Sequence, residues 1–190
     1  MEKMTVFKAA TTIASPVFFN KEDTVEKVVQ MAARAAGEGA QLIVFPETFI
    51  PCYPWWIWMG INSVKRAELF SRLYKNSLEI PGKEIDKLCN AARKHEIFLV
   101  IGLNERDGGT LYNSQILIDS QGNLIGKRRK LMPTGEEKTV CSSCATSDLT
   151  PICRATGLTL SALMTLSGSW MRSRTKSPSP ASRGNGRILG

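Results

Sequence analysis

Two short and continuous apolar runs constrain the fold of this chain more than any other feature. They are LIVF at Leu42–Phe45 and IFLVIGL at Ile97–Leu103. Both are rich in β-branched residues and too short for buried helices, and continuous apolar character is typical of strands covered on both faces. Amphipathic segments precede each run. The pattern therefore predicts an α/β layered sheet with helices packed against it.

The remaining elements follow from periodicity and from helix and turn signals. A strand is predicted at Val6–Ile13, and Asn20–Asp23 is expected to cap a helix that ends at Gly37 and Gly39. A second helix is predicted around Pro81–Arg93. Leu111–Ile118 and Leu124–Lys127 are predicted to pair as antiparallel strands, because Gly122 between them suits a hairpin turn. The inward positions of the two helices are expected to be Val25, Val28, Val29, Ala32, Ala33 and Ala36, then Ile85, Leu88, Cys89 and Ala92.

This pattern stops near Val140, which divides the chain into two predicted parts. Residues 1–140 form the patterned domain, whereas 16 of the 50 residues at 141–190 are Ser or Thr. Such a Ser/Thr/Arg-rich tail buries too little apolar surface to offset its ordering entropy. It is either a natural disordered tail or the product of a reading-frame change or truncation. The abruptness of the change favours the second interpretation.

Charge and cysteine content narrow the classes of function. Of the net charge of +8, residues 1–140 contribute +3 (19 basic, 16 acidic) and residues 141–190 contribute +5 (6 basic, 1 acidic). The basic excess thus belongs mainly to the tail, so no nucleic-acid partner is expected. No apolar run is long enough to span a membrane. Five unevenly spaced cysteines without a secretion signal predict reduced thiols and a cytoplasmic protein.

Glu47 is the first candidate for chemistry, since it follows the buried LIVFP run at a position where α/β folds build their sites. A surface glutamate is the alternative. Tyr53, Trp55 and Trp56 come next, and with Trp58 they could form the apolar wall of a substrate pocket. Filling of the core is the alternative, and it would be an equally good explanation if these aromatic residues stood elsewhere in the chain.

A second candidate segment is KRRKLMPTGEE at Lys127–Glu137. Four successive cations usually form a solvated face. Alternate residues of an extended segment share a face, however, so Lys130 could point into a site while Arg129 points away.

Residues 7–140 contain three motifs in order, LIVFPETFIPCYPWW, LYNSQILID and KRRKLMPTGEE. With these motifs the segment resembles the nitrilase branch of the carbon–nitrogen hydrolase superfamily. The resemblance implies the front half of an αββα sandwich, a small-molecule nitrile as substrate, homo-oligomers, and no metal or cofactor. It also implies a Glu–Lys–Cys triad, in which Glu47 matches the general base and Lys130 the lysine. Glu137 matches an additional acid.

The nucleophile that this resemblance implies is absent from the expected window. The window covers about Ala162–Ser167 and reads ALMTLS. The resemblance implies conversion of a nitrile to acid and ammonia through a cysteine thioimidate. Because the cysteine is missing, this chain is expected to be inactive. A non-catalytic remnant that associates with homologous subunits is the alternative. The sequence does not distinguish aliphatic, aromatic and cyanide substrates, or acid from amide products.

Other residues that could act as nucleophile or ligand are explained more simply by structure. Cys52 is expected to be a wall residue, and His95 a surface residue at a helix end. Cys141 and Cys144 form a single C-x-x-C pair, which is weak evidence for zinc or redox chemistry without further ligands nearby.

Overall fold

A computed structural model describes residues 7–143 of the chain. It contains five strands, three α-helices and two short 3-10 helices. The strands are β1 (Ala9–Thr11), β2 (Leu42–Val44), β3 (Phe98–Asp107), β4 (Thr110–Ile118) and β5 (Leu124–Arg129). The helices are α1 (Lys21–Gly37), α2 (Ser63–Asn76) and α3 (Lys83–His95), and the 3-10 helices are Trp55–Trp58 and Gly135–Thr139.

The five strands form one sheet in which the spatial order is the order of the sequence. β1, β2 and β3 are parallel, whereas β4 and β5 are added as antiparallel neighbours. The turn between β4 and β5 has Gly122 at φ +78°, and the Gly122 N–H donates to the carbonyl of Asp119 at 3.0 Å. The predicted hairpin at this glycine is confirmed.

The main core lies on the face of the sheet that α1 and α3 cover. Helix α1 begins where predicted, because the Asn20 side chain accepts a hydrogen bond from the Asp23 N–H and caps the first turn. The buried members of this core include Val25, Val28, Ala32, Ile85, Leu88, Ala92, Ile43, Leu99, Ile101, Ile116 and Ile118. The two apolar runs that constrain the sequence thus occupy the centre of the fold, and the α/β class is confirmed.

Helix α2 was not anticipated from the sequence. Leu73 is its only buried residue, so its apolar stripe is weak. It packs with the first 3-10 helix in a second core that includes Cys52, Trp56, Ile57, Leu73, Leu111, Val140 and Cys141. A capping signal was present, because the Asn62 side chain accepts from the Lys65 N–H at 2.9 Å.

The predicted boundaries are otherwise close to the observed ones. The first strand was expected at Val6–Ile13 and is observed at Ala9–Thr11, with Val6 outside the described residues. The predictions for the tail concern residues 141–190, of which 144–190 also lie outside the described residues. Between residues 7 and 143, no helix is both long and apolar enough to cross a membrane.

Candidate active site

Glu47 lies just beyond the end of β2, in a backbone that leaves little room for movement. Gly102 of β3 packs so closely on this loop that a Cβ there would lie 2.3 Å from the Pro46 carbonyl oxygen and 2.7 Å from the Glu47 Cα. Thr48 has a φ of +46°, in the left-handed region that non-glycine residues rarely adopt. The loop therefore fixes Glu47 at the carboxyl edge of the parallel strands.

Lys130 joins the two glutamates that the sequence analysis singled out. Its Nζ donates to Glu47 Oε1 at 2.8 Å and to Glu137 Oε2 at 2.8 Å. Burial lowers the pKa of Lys130, but the bonds to Glu137 and Glu47 outweigh that effect and leave the pKa above its usual 10.5. The ammonium is therefore fixed as a cation between two carboxylates that are distant in sequence.

Glu137 is held by the 3-10 helix that contains it. It is the third residue of this helix and forms a capping box with Thr134, the N-cap residue, because its Oε2 accepts from the Thr134 N–H at 2.6 Å. Its Oε1 accepts from the Tyr53 hydroxyl at 2.7 Å. Burial raises the pKa of Glu137, but Lys130, the Thr134 N–H and Tyr53 together hold it below its ordinary value. Glu137 is therefore a carboxylate with a donor on each oxygen.

Glu47 differs from Glu137 in how its oxygens are used. Both of its hydrogen bonds, from Lys130 and from Asn113 Nδ2 at 2.6 Å, reach the same atom, Oε1. Within residues 7–143, Oε2 has no hydrogen-bond partner, and the Glu47 side chain is 35% exposed. Of the two carboxylates, Glu47 is the one with an oxygen available to accept a proton.

The sequence analysis missed Asn113. It lies on β4 directly opposite Asn104 of β3, and the two share a face of the sheet because opposed residues do so. Asn104 donates to the Cys52 carbonyl at 2.8 Å. The polar run NSQ at residues 113–115 of β4 was a signal in the sequence, but the run alone does not show which of its side chains faces Glu47.

Arg129 points to the opposite face of the sheet from Lys130. Its guanidinium donates to Glu105 at 2.6 and 2.9 Å, and Glu105 also accepts from Lys127 and Ser114. Lys130 continues the ladder, since its N–H donates to the Asn113 carbonyl at 2.7 Å. The alternation predicted for these two cations is thus the arrangement observed.

The three aromatic residues assigned to a substrate pocket lie in different surroundings. The Tyr53 hydroxyl contacts Glu137, and the Trp55 ring lies 4.8 Å from the Tyr53 ring with about half of its surface exposed. Trp56 is buried in the second core, 5.4 Å from the Phe19 ring. Its surroundings are those of the core-filling alternative, and its role in a pocket stays a prediction.

The thiols of the described residues show no sign of activation. Cys52 and Cys141 are both buried. Burial raises the pKa of Cys52 to about 11, and burial together with Glu137 raises that of Cys141 to about 12. A nucleophilic cysteine needs the opposite shift, because the thiolate is the reactive form. His95 is partly exposed at the last residue of α3.

The arrangement supplies two of the parts that acyl transfer through a thiol requires. A carboxylate with a free oxygen can take the proton of an attacking group. A fixed cation 2.8 Å away can stabilise negative charge that develops on the substrate. No group of three or more potential metal ligands is found among residues 7–143.

Comparison with known proteins identifies a family profile and relatives that match most of this chain. The sequence profile of the family described as carbon–nitrogen hydrolase matches residues 8–170. An aliphatic nitrilase of Rhodococcus rhodochrous is 42% identical over 149 residues, which are 78% of this chain and 41% of that protein. An arylacetonitrilase of Aspergillus niger is 44% identical over 140 residues, 74% of this chain and 41% of its own length.

A solved structure agrees in fold. An amidase from Nesterenkonia sp. superposes with a TM-score of 0.53 at 23% identity, over 74% of this chain and 49% of the amidase. The chain spans about two fifths of the length of these curated nitrilases and half of the solved amidase. The profile match covers most of the chain and includes Glu47, Lys130 and Glu137. The chain belongs to the carbon–nitrogen hydrolase family.

Proposed function

We propose that Glu47, Lys130 and Glu137 are the site of a nitrile hydrolase that acts through a cysteine thiol. The observation that carries the proposal is the position of Lys130 Nζ, 2.8 Å from an oxygen of each carboxylate. The relatives described as nitrilases support nitriles as the substrate class. Tyr53 contacts Glu137, and Trp55 and Trp58 contact Tyr53, so aromatic side chains lie beside the proposed site. Such surroundings favour a largely apolar substituent on the nitrile.

In the proposed reaction, Glu47 Oε2 takes the thiol proton as sulfur attacks the nitrile carbon. Glu47 passes that proton to the nitrile nitrogen as the C–S bond forms, which gives a covalent thioimidate and leaves Glu47 ionised again. Water, deprotonated by Glu47, then adds to this carbon, and the nitrogen leaves as ammonia with the proton that Glu47 returns to it. A second water, deprotonated in the same way, cleaves the resulting thioester, which releases the carboxylic acid and returns the proton to the sulfur. Lys130 stabilises negative charge at each tetrahedral stage, and Glu137 holds Lys130 in place.

The chain of 190 residues supplies no cysteine in the window where the family resemblance requires one, since Ala162–Ser167 contains none. We therefore propose that this chain is catalytically inactive by itself. Cys141 is not a substitute, because it is buried and its pKa is raised to about 12.

The competing proposal is a non-catalytic remnant that associates with homologous subunits. Exposed apolar side chains favour it: Met132, Met59, Trp55 and Trp58 all expose at least half of their surface. The chain would then co-purify with an intact homologous nitrilase when the two are expressed together.

An ammonia-release assay on two proteins tests the main proposal. The first is the 190-residue chain, and the second is a chimera of residues 1–143 with the carboxyl-terminal part of a curated nitrilase. We expect no ammonia above background from the chain and turnover of nitriles by the chimera. Turnover by the chain alone that Glu47→Gln abolishes would contradict the proposed inactivity and require an unrecognised nucleophile.

A further inference from the structure

Tyr53 has contacts that a simple wall of a substrate pocket would not need. Its hydroxyl donates to Glu137 Oε1 at 2.7 Å and accepts from Trp58 Nε1 at 3.3 Å. A phenol has one proton to donate. Because the Trp58 N–H occupies an acceptor position of the oxygen, the phenol proton is directed towards Glu137.

Trp58 also contacts the helix in which Glu137 lies. A Cβ at Gly135, the first residue of that 3-10 helix, would lie 3.1 Å from the Trp58 ring carbon Cη2. The indole therefore packs on the backbone at the helix start while its N–H reaches Tyr53. Gly135 has a φ of +50°, a conformation that glycine adopts without strain.

The other two donors to Glu137 bind its second oxygen, Oε2. Lys130 and the Thr134 N–H both donate to Oε2, so Tyr53 is the one side chain in residues 7–143 that donates to Oε1. Without it, the carboxylate could rotate about its last side-chain torsion, and the position of Lys130 would loosen with it.

We propose that Tyr53 is a positioning residue, oriented by Trp58, that fixes Glu137 against Lys130. The hydrogen-bond relay runs from Trp58 through Tyr53 to Glu137, and thus connects a half-exposed indole to the candidate active site. The value of this relay for catalysis rests on the proposed function, but its existence does not.

Nuclear magnetic resonance of the 190-residue chain tests the relay without any activity. With 15N-labelled tryptophan, the Trp58 indole N–H resonance is assigned by Trp58→Phe. We expect Glu137→Gln and Tyr53→Phe to shift this resonance. The matched controls Glu136→Gln and Tyr74→Phe should leave it in place, because Glu136 is exposed and the Tyr74 hydroxyl donates to the Gly108 carbonyl instead.

The effect on Glu137 itself is measured with 13C-labelled glutamate, assigned by Glu137→Gln and titrated from pH 7 downwards. Loss of the Tyr53 donor should raise the midpoint of Glu137, by a shift on the order of one pH unit for a hydrogen bond to a charged group. Tyr74→Phe should not. A dispersed Tyr53→Phe spectrum with an unchanged midpoint would overturn the proposal.

If Tyr53→Phe does not fold, the unmutated chain decides. Protonation of Glu137 should then shift the Trp58 indole resonance, with the midpoint seen in the 13C titration of Glu137. An indole resonance that does not change over this pH range would overturn the relay. An intact relay in a chimera that hydrolyses no nitrile would count against the proposed function alone.

Discussion

At the scale of single residues, charged groups on the two faces of β5 serve different purposes. Lys130 faces Glu47 and Glu137 at a partly exposed edge, whereas Arg129 and Glu105 are buried on the other face. Burial raises the pKa of Glu105, but the bonds from Arg129, Lys127 and Ser114 outweigh it and hold the pKa below its ordinary value. This buried cluster anchors the strand from which Lys130 projects.

Glu105→Gln should lower the free energy of unfolding by about 3 kcal/mol at pH 7, because it leaves Arg129 buried without its main counter-charge. The pKa of Glu105 is depressed in the folded state, so its contribution is fully present above pH 4.5 and is lost as the pH falls through the folded value. Urea unfolding of the Glu105→Gln variant and of the unmutated chain should therefore give a difference in the free energy of unfolding that is constant near neutrality and becomes smaller in acid.

Glu79→Gln is the matched control for that prediction. Glu79 also pairs with an arginine, Arg106 at 2.7 Å, but its side chain is 62% exposed. Its loss should cost less than about 1 kcal/mol. Equal costs for the two substitutions would show that the Glu105 cluster does not stabilise the strand.

At the scale of elements, the sequence predicts those with strong patterns and misses those without them. The LIVF and IFLVIGL runs identify β2 and β3, and Asn20 identifies the start of α1. Helix α2 was missed because its apolar stripe is short: Leu69, Phe70, Leu73 and Tyr74 recur at helical spacing over fewer than two turns, and only Leu73 is fully buried. The 3-10 helix at Trp55–Trp58 was not predicted because its tryptophans show no common buried face: Trp56 is buried, whereas Trp55 and Trp58 are half exposed.

Gly102→Ala tests how the elements hold Glu47. The added methyl group would lie 2.3 Å from a backbone oxygen of the loop after β2, so one of the two backbones would have to shift. The free energy of unfolding should fall by about 3 kcal/mol or more, as measured by thermal or urea denaturation.

Gly109→Ala is the control, since a Cβ at Gly109 meets no atom within 4 Å. Its effect should remain below about 1 kcal/mol. A Gly102→Ala protein as stable as the Gly109→Ala protein would refute the close approach of β3 to the Glu47 loop.

At the scale of the whole molecule, the described residues contain one five-stranded sheet and the candidate site formed by Glu47, Lys130 and Glu137. Glu47 and Lys130 could be selected from the sequence because each lies just after a strand, whereas Glu137 could be selected only through the resemblance to the family. Asn113 and the Thr134 N–H could not, because their role depends on side-chain directions that only the folded sheet fixes. The predicted division at residue 140 stays a prediction, and the family profile extends to residue 170.

Under the proposed function, Glu47 is the proton acceptor of a hydrolase site that lacks its thiol. The most direct measurement is kcat for nitrile hydrolysis by the chimera described above, carrying either Glu47→Gln or Glu38→Gln. Glu38 is an exposed glutamate whose side chain pairs with Arg34 at the end of α1. We expect Glu47→Gln to lower kcat by about 100-fold or more, as for loss of a general base, and Glu38→Gln to leave it unchanged. A chimera that folds and turns over equally well with Glu47→Gln would contradict the account.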